Sequence, residues 1–201
     1  MRRIAFLLAV LFAGAVAPAA GQSPRVEVTL DTVLRVPRVR INNLMEQERW
    51  REALDDAFRI SLNWRVELWK RGTFWSTNER TMEFSVVIRR EPLLGQYFIT
   101  YFTPYNDPDE RQFRTFEEFV VFLELAIRID KMAPRTEGEW YYVANLQVSA
   151  LDEEQFAEMQ RFLGSSGRTT GGGAISNFLL RSVGLPSQSL PAARSATFRV
   201  P

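Results

Sequence analysis

Apolar and polar residues alternate along much of this chain with a period of two. The clearest run is at residues 59–68, where apolar residues occupy every second position. This pattern is typical of a strand with one buried face and one polar face. Residues 81–89 repeat the pattern, and residues 139–149 form a last long alternation. We therefore predict three long strands, each with one face on a core.

Shorter patterns complete the set of predicted strands. Residues 25–41 alternate as two short strands, the second starting just past Pro37. Residues 96–103 are apolar at both phases, so this strand is expected inside the sheet. Residues 195–200 are expected to form a final strand. The run PYNDPDER at residues 104–111 has the composition of a loop.

Helical spacing of apolar residues predicts the helices. They are expected at about residues 44–57, 115–129, 152–163 and 174–183. Thr115 and Glu118 have the spacing of a capping box at the start of the second helix. Because the long strands follow one another without crossover helices, we predict an α+β fold. It has an antiparallel β-sheet of about five to seven strands, flat or curved, and three or four helices.

The chain divides into four segments by composition. Residues 1–21 are predicted to be a signal peptide, and residues 22–163 the α+β domain. Residues 164–173, GSSGRTTGGG, have the composition of a flexible linker. A phosphate-binding loop is not expected there, because no lysine follows the glycines. Residues 174–201 are expected to add a C-terminal helix and a short strand that pack on the same domain.

The first residues have the three parts of a secretory signal. The basic start Met1-Arg2-Arg3 precedes an apolar run at residues 4–17, and small residues follow up to Gly21. Cleavage after Ala19 and cleavage after Gly21 both satisfy the requirement for small residues. The apolar run of 14 residues is shorter than the roughly 20 that a membrane-spanning helix needs. We therefore predict an exported protein of the periplasm or cell envelope.

Composition removes several classes of chemistry. The 201 residues carry a formal net charge of +1 and include neither cysteine nor histidine. These absences exclude disulfides, Cys/His zinc sites, thiolate nucleophiles and histidine-dependent catalytic triads. A charge near zero disfavours nucleic acid as a partner. Asp107 and Asp109 begin a calcium-loop spacing, but Arg111 and Gln112 break it, so neither a metal nor a cofactor is expected.

Carboxylates are the remaining candidates for acid and base catalysis. Adjacent pairs occur at residues 55–56, 117–118 and 153–154. Adjacent residues on a helix point in different directions, so we interpret these pairs as solvated charges and expect no catalytic residue. Glu67 and Glu83 lie on the polar phases of two strands. Pairing with Arg65 and Arg89 would make them a cross-strand charge ladder.

Arginine is frequent, with 23 arginines against two lysines. A bias in genome composition explains this without a structural role. The alternative uses the planar guanidinium, which stacks on aromatic rings and pairs with carboxylates. Strand phase places Arg59, Arg65, Trp69 and Arg89 on one sheet face, and these four residues are the predicted binding site. Trp69 is its centre, because a tryptophan on a polar phase is typical of contact sites.

Several segments resemble one family of bacterial proteins. They are Glu52-Ala53-Leu54, RVELWKR at residues 65–71, Phe74-Trp75, IRREPLLGQY at residues 88–97, FEEF, a strand with two adjacent tyrosines, and a late GLPS. Over about residues 26–187 the chain is similar to the bacterial family called domain of unknown function 4390. The resemblance implies a small exported bacterial protein. It implies no established activity, cofactor or catalytic residue.

These observations lead to three hypotheses about function. The leading one is a non-enzymatic protein that binds an envelope protein, or another macromolecule, through a sheet face or edge. An alternative is a carrier of a lipid or other apolar ligand, held between the aromatic strands and the helix at residues 115–129. A second alternative is a carboxylate-based hydrolase with two carboxyl groups in a cleft.

Overall fold

The structure is a computed structural model that describes residues 23–165 and 186–201. The predicted signal peptide, most of the predicted linker and the predicted helix at residues 174–183 lie outside the described residues. Residues 164 and 165 were expected to begin the linker, but they belong to the end of a helix.

The described residues form strands, α-helices and short 3₁₀ turns. In chain order the strands are β1 (Arg25–Asp31), β2 (Val36–Asn42), β3 (Arg59–Arg71), β4 (Ser76–Glu91), β5 (Gln96–Thr103), β6 (Asn106–Phe113), β7 (Ile127–Arg128), β8 (Gly138–Leu151), β9 (Ser187–Arg194) and β10 (Phe198–Val200). The helices are α1 (Glu48–Asp55), α2 (Phe116–Leu123) and α3 (Glu153–Ser165), and the 3₁₀ turns are Leu44–Glu46 and Asp130–Met132. The predicted α+β class, dominated by antiparallel sheet, is confirmed.

Within the residues that the structure describes, seven strands form the larger sheet. Their order is β10-β8-β3-β4-β5-β6, and β9 pairs with the same edge of β8 as β10 does. All of these pairings are antiparallel. From β3 to β6 each strand is joined to the next by a short turn, so neighbours in sequence are neighbours in the sheet. β3 pairs with β4 on one side and with β8 on the other along almost its full length, so it is a central strand of the sheet.

A second sheet, in the order β1-β2-β7, covers one face of the larger sheet. Val39 and Ile41 of β2 lie in one buried cluster with Leu62 and Trp64 of β3. Trp50 of α1 is fully buried in the same cluster. The main core therefore lies between the two sheets, with a contribution from α1.

α3 begins close to its predicted start at residue 152, whereas the first predicted helix is divided. Asp152 Oδ1 accepts a hydrogen bond from the Gln155 N–H (2.8 Å), and Gln155 Oε1 accepts one from the Asp152 N–H (3.3 Å), so α3 begins with a reciprocal cap. The helix predicted at residues 44–57 is divided into a 3₁₀ turn and α1, because the backbone of Gln47 between them is extended.

The helix predicted to reach residue 129 is shorter in the structure. Thr115 does cap α2, since its side chain accepts a hydrogen bond from the Glu118 N–H (3.2 Å). The helix nevertheless ends at Leu123. Beyond it, β7 pairs with β2, and the Ile129 N–H donates to the Pro37 carbonyl (3.0 Å). The prediction is wrong because the backbone after Leu123 forms hydrogen bonds with the edge of β2. The β-branched residues in this segment fit the helical spacing, but they also favour a strand.

Two segments expected to lie outside the sheet belong to it. Residues 104–111 were predicted as a loop, but most of them form β6, which pairs with β5. Pro108 has no N–H to donate and is tolerated because β6 is an edge strand of the described sheet. Residues 187–194 form the unpredicted strand β9, and the final strand is shorter than predicted. In both places the local sequence has little preference for a strand, and pairing with the edge of a neighbouring strand makes the segment a strand.

Candidate functional site

The larger sheet has one face on the core and one face turned away from the smaller sheet, which we call the outer face. In β3 the residues of one phase are buried in the core, so Arg59, Arg65 and Trp69, at the other phase, lie on the outer face. The register between β3 and β4 places Arg89 on the same face. The four residues predicted from strand phase therefore share one face of the sheet.

The four residues divide into two groups along the outer face. Arg59 and Arg89 flank the pair formed by Ile60 and Ile88. Arg65 lies further along β3, about 20 Å from Arg59, and Trp69 lies beyond it. We call the first group the Arg59 end of the outer face and the second group the Trp69 end.

At the Trp69 end, side chains from three strands stack on one another. The rings of Trp69 and Tyr141 are parallel, with 5° between their planes and 6.3 Å between their centroids. The guanidinium carbon of Arg194 lies 3.6 Å from the centroid of the Tyr141 ring. Because β3 and β9 flank β8, Trp69 and Arg194 approach Tyr141 from opposite sides. We call Trp69, Tyr141 and Arg194 the stacked column, which aromatic and cation–π attraction stabilise.

A charge network orients Trp69. Its indole N–H donates to Glu67 Oε2 (2.9 Å), and Arg65 Nε donates to Glu67 Oε1 (2.7 Å). Arg65 Nη1 also donates to Glu83 on β4 (3.3 Å). One guanidinium therefore bridges two carboxylates, as the predicted charge ladder requires of Arg65. The Trp69 side chain is half-buried and the Arg65 side chain is 42% exposed, so a second molecule can contact both.

Arg89 does not join Glu67 and Glu83 in the predicted ladder. Its guanidinium carbon lies 3.8 Å from the centroid of the Phe98 ring, and its Nη2 lies 3.4 Å from Glu110. This part of the ladder prediction is wrong because the register of β4 and β5 places Arg89 beside Phe98. Arg89 therefore contacts residues of β5 and β6.

At the Arg59 end, α3 packs on the outer face. Phe156 of α3 contacts a small buried cluster formed by Val87 and Leu151. The guanidinium carbon of Arg59 lies 4.3 Å from the centroid of the Phe156 ring, and Arg59 also pairs with Glu153. Only 20% of the Arg59 side chain is exposed. Arg59 is therefore part of the contact that holds α3 on the sheet.

Between the two ends lies a strip of buried polar residues that the sequence pattern did not single out. They are Ser61, Asn63, Ser85 and Ser149. Ser85 Oγ donates to Asn63 Oδ1 (2.7 Å), and Ser61 Oγ donates to the same oxygen (3.2 Å). Within the described residues, Asn63 Nδ2 and Ser149 Oγ have no hydrogen-bond partner. Small polar residues at alternate positions were the available signal, but their burial depends on tertiary packing.

The ionisable groups with shifted pKa values do not suit general acid catalysis. A hydrogen bond from the Leu34 N–H holds the pKa of Asp31 below its ordinary value. A hydrogen bond from Arg40 likewise lowers the pKa of Glu27. A carboxylic acid that donates a proton near neutral pH needs a raised pKa instead. Burial raises the pKa of Tyr101 to about 12, so this hydroxyl keeps its proton at neutral pH.

A cavity lies between the two sheets, at the place where the carrier hypothesis puts the apolar ligand. It is lined by residues of both sheets and of the segment after α2, including Ile41, Trp64 and Ile127. Its volume is about 10 Å³. That is room for about one water molecule, whereas small-molecule sites typically have about 300 Å³ or more. The cavity therefore gives no support to the carrier hypothesis.

The described part of the chain contains no helix that combines the length and the apolar character needed to cross a membrane. Within residues 23–165 and 186–201, no group of three or more acidic side chains is arranged to hold a metal ion. No protein-family model, curated protein or solved structure matches this chain.

Proposed function

We propose that this chain is an exported, non-enzymatic protein of the cell envelope that binds a protein partner through the Trp69 end of its outer face. The observation that carries the proposal is the stacked column with the Arg65 network beside it. Tryptophan, tyrosine and arginine are enriched among the residues that dominate the free energy of binding at protein interfaces. Here the three residue types lie in contact on one sheet face.

Preorganised side chains favour binding, because less conformational entropy is lost when the partner docks. Trp69 is held against Tyr141 by stacking and at Glu67 by a hydrogen bond. The Glu67 side chain is only 12% exposed and is itself held by Arg65. A partner would therefore meet aromatic and charged groups that are already oriented.

Export is supported by the basic, apolar and small-residue parts of residues 1–21. The resemblance to domain of unknown function 4390 agrees with it. An envelope location makes other envelope proteins the available partners. The cavity of about 10 Å³ favours a binding role over the carrier alternative.

Recovery of partners from an envelope extract tests this function. The wild-type chain and the variant R65A/W69A are immobilised in equal amounts, and the bound proteins are quantified by mass spectrometry. The matched control is R89A/F98A, which removes another arginine–aromatic pair from the same face. Thermal unfolding of each variant checks that it is folded.

We expect at least one protein to be recovered equally by the wild-type chain and the control, and about tenfold less by R65A/W69A. Equal recovery by all three would remove the Trp69 end as the binding site. N-terminal sequencing of the native product checks export separately. An intact Met1 in an intracellular fraction would contradict it.

A further inference from the structure

The turn between β3 and β4 carries two of the most exposed aromatic side chains in the described chain. Phe74 is 88% exposed and Trp75 is 78% exposed. Their ring centroids are 6.3 Å apart. An exposed apolar patch that no packing explains is a mark of an interaction site. These two residues take no part in the stacked column or the Arg65 network.

The backbone of this turn holds the aromatic pair away from the sheet. The Gly72 N–H donates a hydrogen bond to the Trp75 carbonyl (3.0 Å). A Cβ atom on residue 72 would lie 2.4 Å from that carbonyl oxygen, so only glycine fits without a backbone movement. The exposure of Phe74 and Trp75 is therefore a property of a closed, hydrogen-bonded turn.

A second apolar turn lies at the same end of the molecule. Val33 is 85% exposed and Leu34 is 48% exposed, in the turn between β1 and β2. The carbonyl of Arg35, the next residue, accepts a hydrogen bond from the Tyr142 hydroxyl (2.8 Å). Tyr142 pairs with Leu68 near the end of β3. The β1–β2 turn therefore lies near the end of β3 that leads into the β3–β4 turn.

The end of β3 beside this turn carries positive charge at Lys70 and Arg71. Lys70 Nζ donates to Thr136 Oγ1 (3.2 Å) and lies 5.2 Å from the centroid of the Trp140 ring. Arg71 lies 3.7 Å from Glu139, but both side chains are more than half exposed. An exposed pair of this kind contributes little and is screened by salt, so Arg71 can engage another anion. Aromatic rings at a tip with cations behind them match the headgroup region of an anionic membrane.

We propose that the β3–β4 turn docks the protein on an anionic lipid bilayer. Phe74 and Trp75 insert among the lipid headgroups, and Lys70 and Arg71 lie against the lipid phosphates. Apolar tips on two separate turns fit a deformable lipid surface, whereas a folded protein would need a matching pocket for each tip. The proposal goes beyond the binding function of the Trp69 end and stands without it.

Co-sedimentation of the exported protein, isolated after removal of its signal peptide, with vesicles tests the proposal. The vesicles consist of phosphatidylcholine alone or of phosphatidylcholine mixed with phosphatidylglycerol. F74S/W75S removes the aromatic tip. The matched control is L93S/L94S, which removes an apolar pair that is 94% and 65% exposed in the turn between β4 and β5, at the opposite end of the sheet. All variants lack the predicted signal peptide, residues 1–21, so the apolar run at residues 4–17 does not itself bind the vesicles.

We expect the wild-type chain and L93S/L94S to bind vesicles that contain phosphatidylglycerol, and F74S/W75S to bind about tenfold less. K70Q/R71Q is expected to lose about fivefold for each charge removed on these vesicles and nothing on phosphatidylcholine alone. Equal binding by the wild-type chain and F74S/W75S would overturn the proposal. Loss of a captured protein in F74S/W75S, with no vesicle binding by the wild-type chain, would overturn it as well.

Tryptophan fluorescence provides a second readout. Of the five tryptophans, Trp50, Trp64 and Trp140 are buried, Trp69 is half-buried and Trp75 is 78% exposed. Lipids with brominated acyl chains are expected to quench the wild-type fluorescence. W75F is expected to bind the same vesicles with most of the quenching lost, because it keeps an aromatic ring without the fluorophore. Equal quenching of W75F and the wild-type chain would contradict insertion of the tip.

Discussion

The two ends of the outer face use the same residue types for different purposes. At the Arg59 end, an arginine stacks on Phe156 and joins α3 to the sheet over Leu151. At the Trp69 end, arginine and aromatic rings stack between strands, and the Trp69 side chain keeps part of its surface exposed. An arginine beside an aromatic ring is therefore not by itself the mark of a binding site. Such a pair can bind a second molecule only where no other element of the fold covers it.

The largest loss of stability is expected for Leu151→Ala, at the Arg59 end. Leu151 is fully buried and packs with Phe156. Its truncation leaves a cavity under α3, so the free energy of unfolding is expected to fall by about 3 kcal/mol, measured by urea denaturation. Leu93→Ala is the matched control, because Leu93 is 94% exposed and the same truncation there changes little. Equal losses in the two variants would show that α3 does not protect this end.

Trp69→Ala is expected to weaken binding strongly while it lowers stability only a little. Loss of the ring removes one stacking contact and one hydrogen bond from a half-buried site, so the free energy of unfolding should fall by only about 1 kcal/mol. Recovery of the partner should fall about tenfold in the same variant. Urea denaturation and the recovery experiment measure the two quantities. Unchanged recovery together with a large loss of stability would make Trp69 a structural residue.

A smaller effect is expected for the charge network beside Trp69. A double-mutant cycle with Arg65→Ala and Glu83→Gln should give a coupling free energy of about 0.5 kcal/mol that declines with added salt. Arg71 and Glu139 are the matched control pair: they are directly opposite on neighbouring strands but lie 3.7 Å apart with both side chains more than half exposed. Their coupling should be close to zero. Equal coupling in both pairs would mean that partial burial at the Trp69 end has no electrostatic effect.

The smallest change is expected outside the outer face, at Asp31, which ends β1. The pKa of Asp31 is lowered by a hydrogen bond from the Leu34 N–H and by pairing with Arg38. Its folded value lies below the unfolded value of about 3.9, so the stability that it contributes is complete above that pH and is lost as pH falls through the folded value. Asp31→Asn should therefore lower stability at neutral pH and flatten the acid limb of the stability profile. Urea denaturation at several pH values measures this, and an unchanged acid limb would contradict it.

The long strands could be predicted because their own residues carry the pattern. In β3, β4 and β8 one phase is apolar and the other mostly polar, since one face of the larger sheet lies on the core. β6 carries no such pattern, because its side chains are almost all exposed. It is a strand because β5 offers an edge with which its backbone can pair. Such a reason is invisible in the local sequence.

The same division holds for the candidate site. Strand phase was enough to place Arg65 and Trp69 on one face. Tyr141 and Arg194, which complete the stacked column, lie far along the chain and were not predicted as site residues. Their adjacency follows from the register of β8 with β3 and β9. Register depends on how whole strands pair, and a single strand does not contain that information.

Which side chains share a direction follows from the order of the residues, because successive residues of an extended backbone point to opposite faces of a sheet. Which arginines are covered, and which can contact a second molecule, depends on the packing of the whole chain. Coverage depends on where α3 and β9 pack, and those contacts join residues that are distant along the chain.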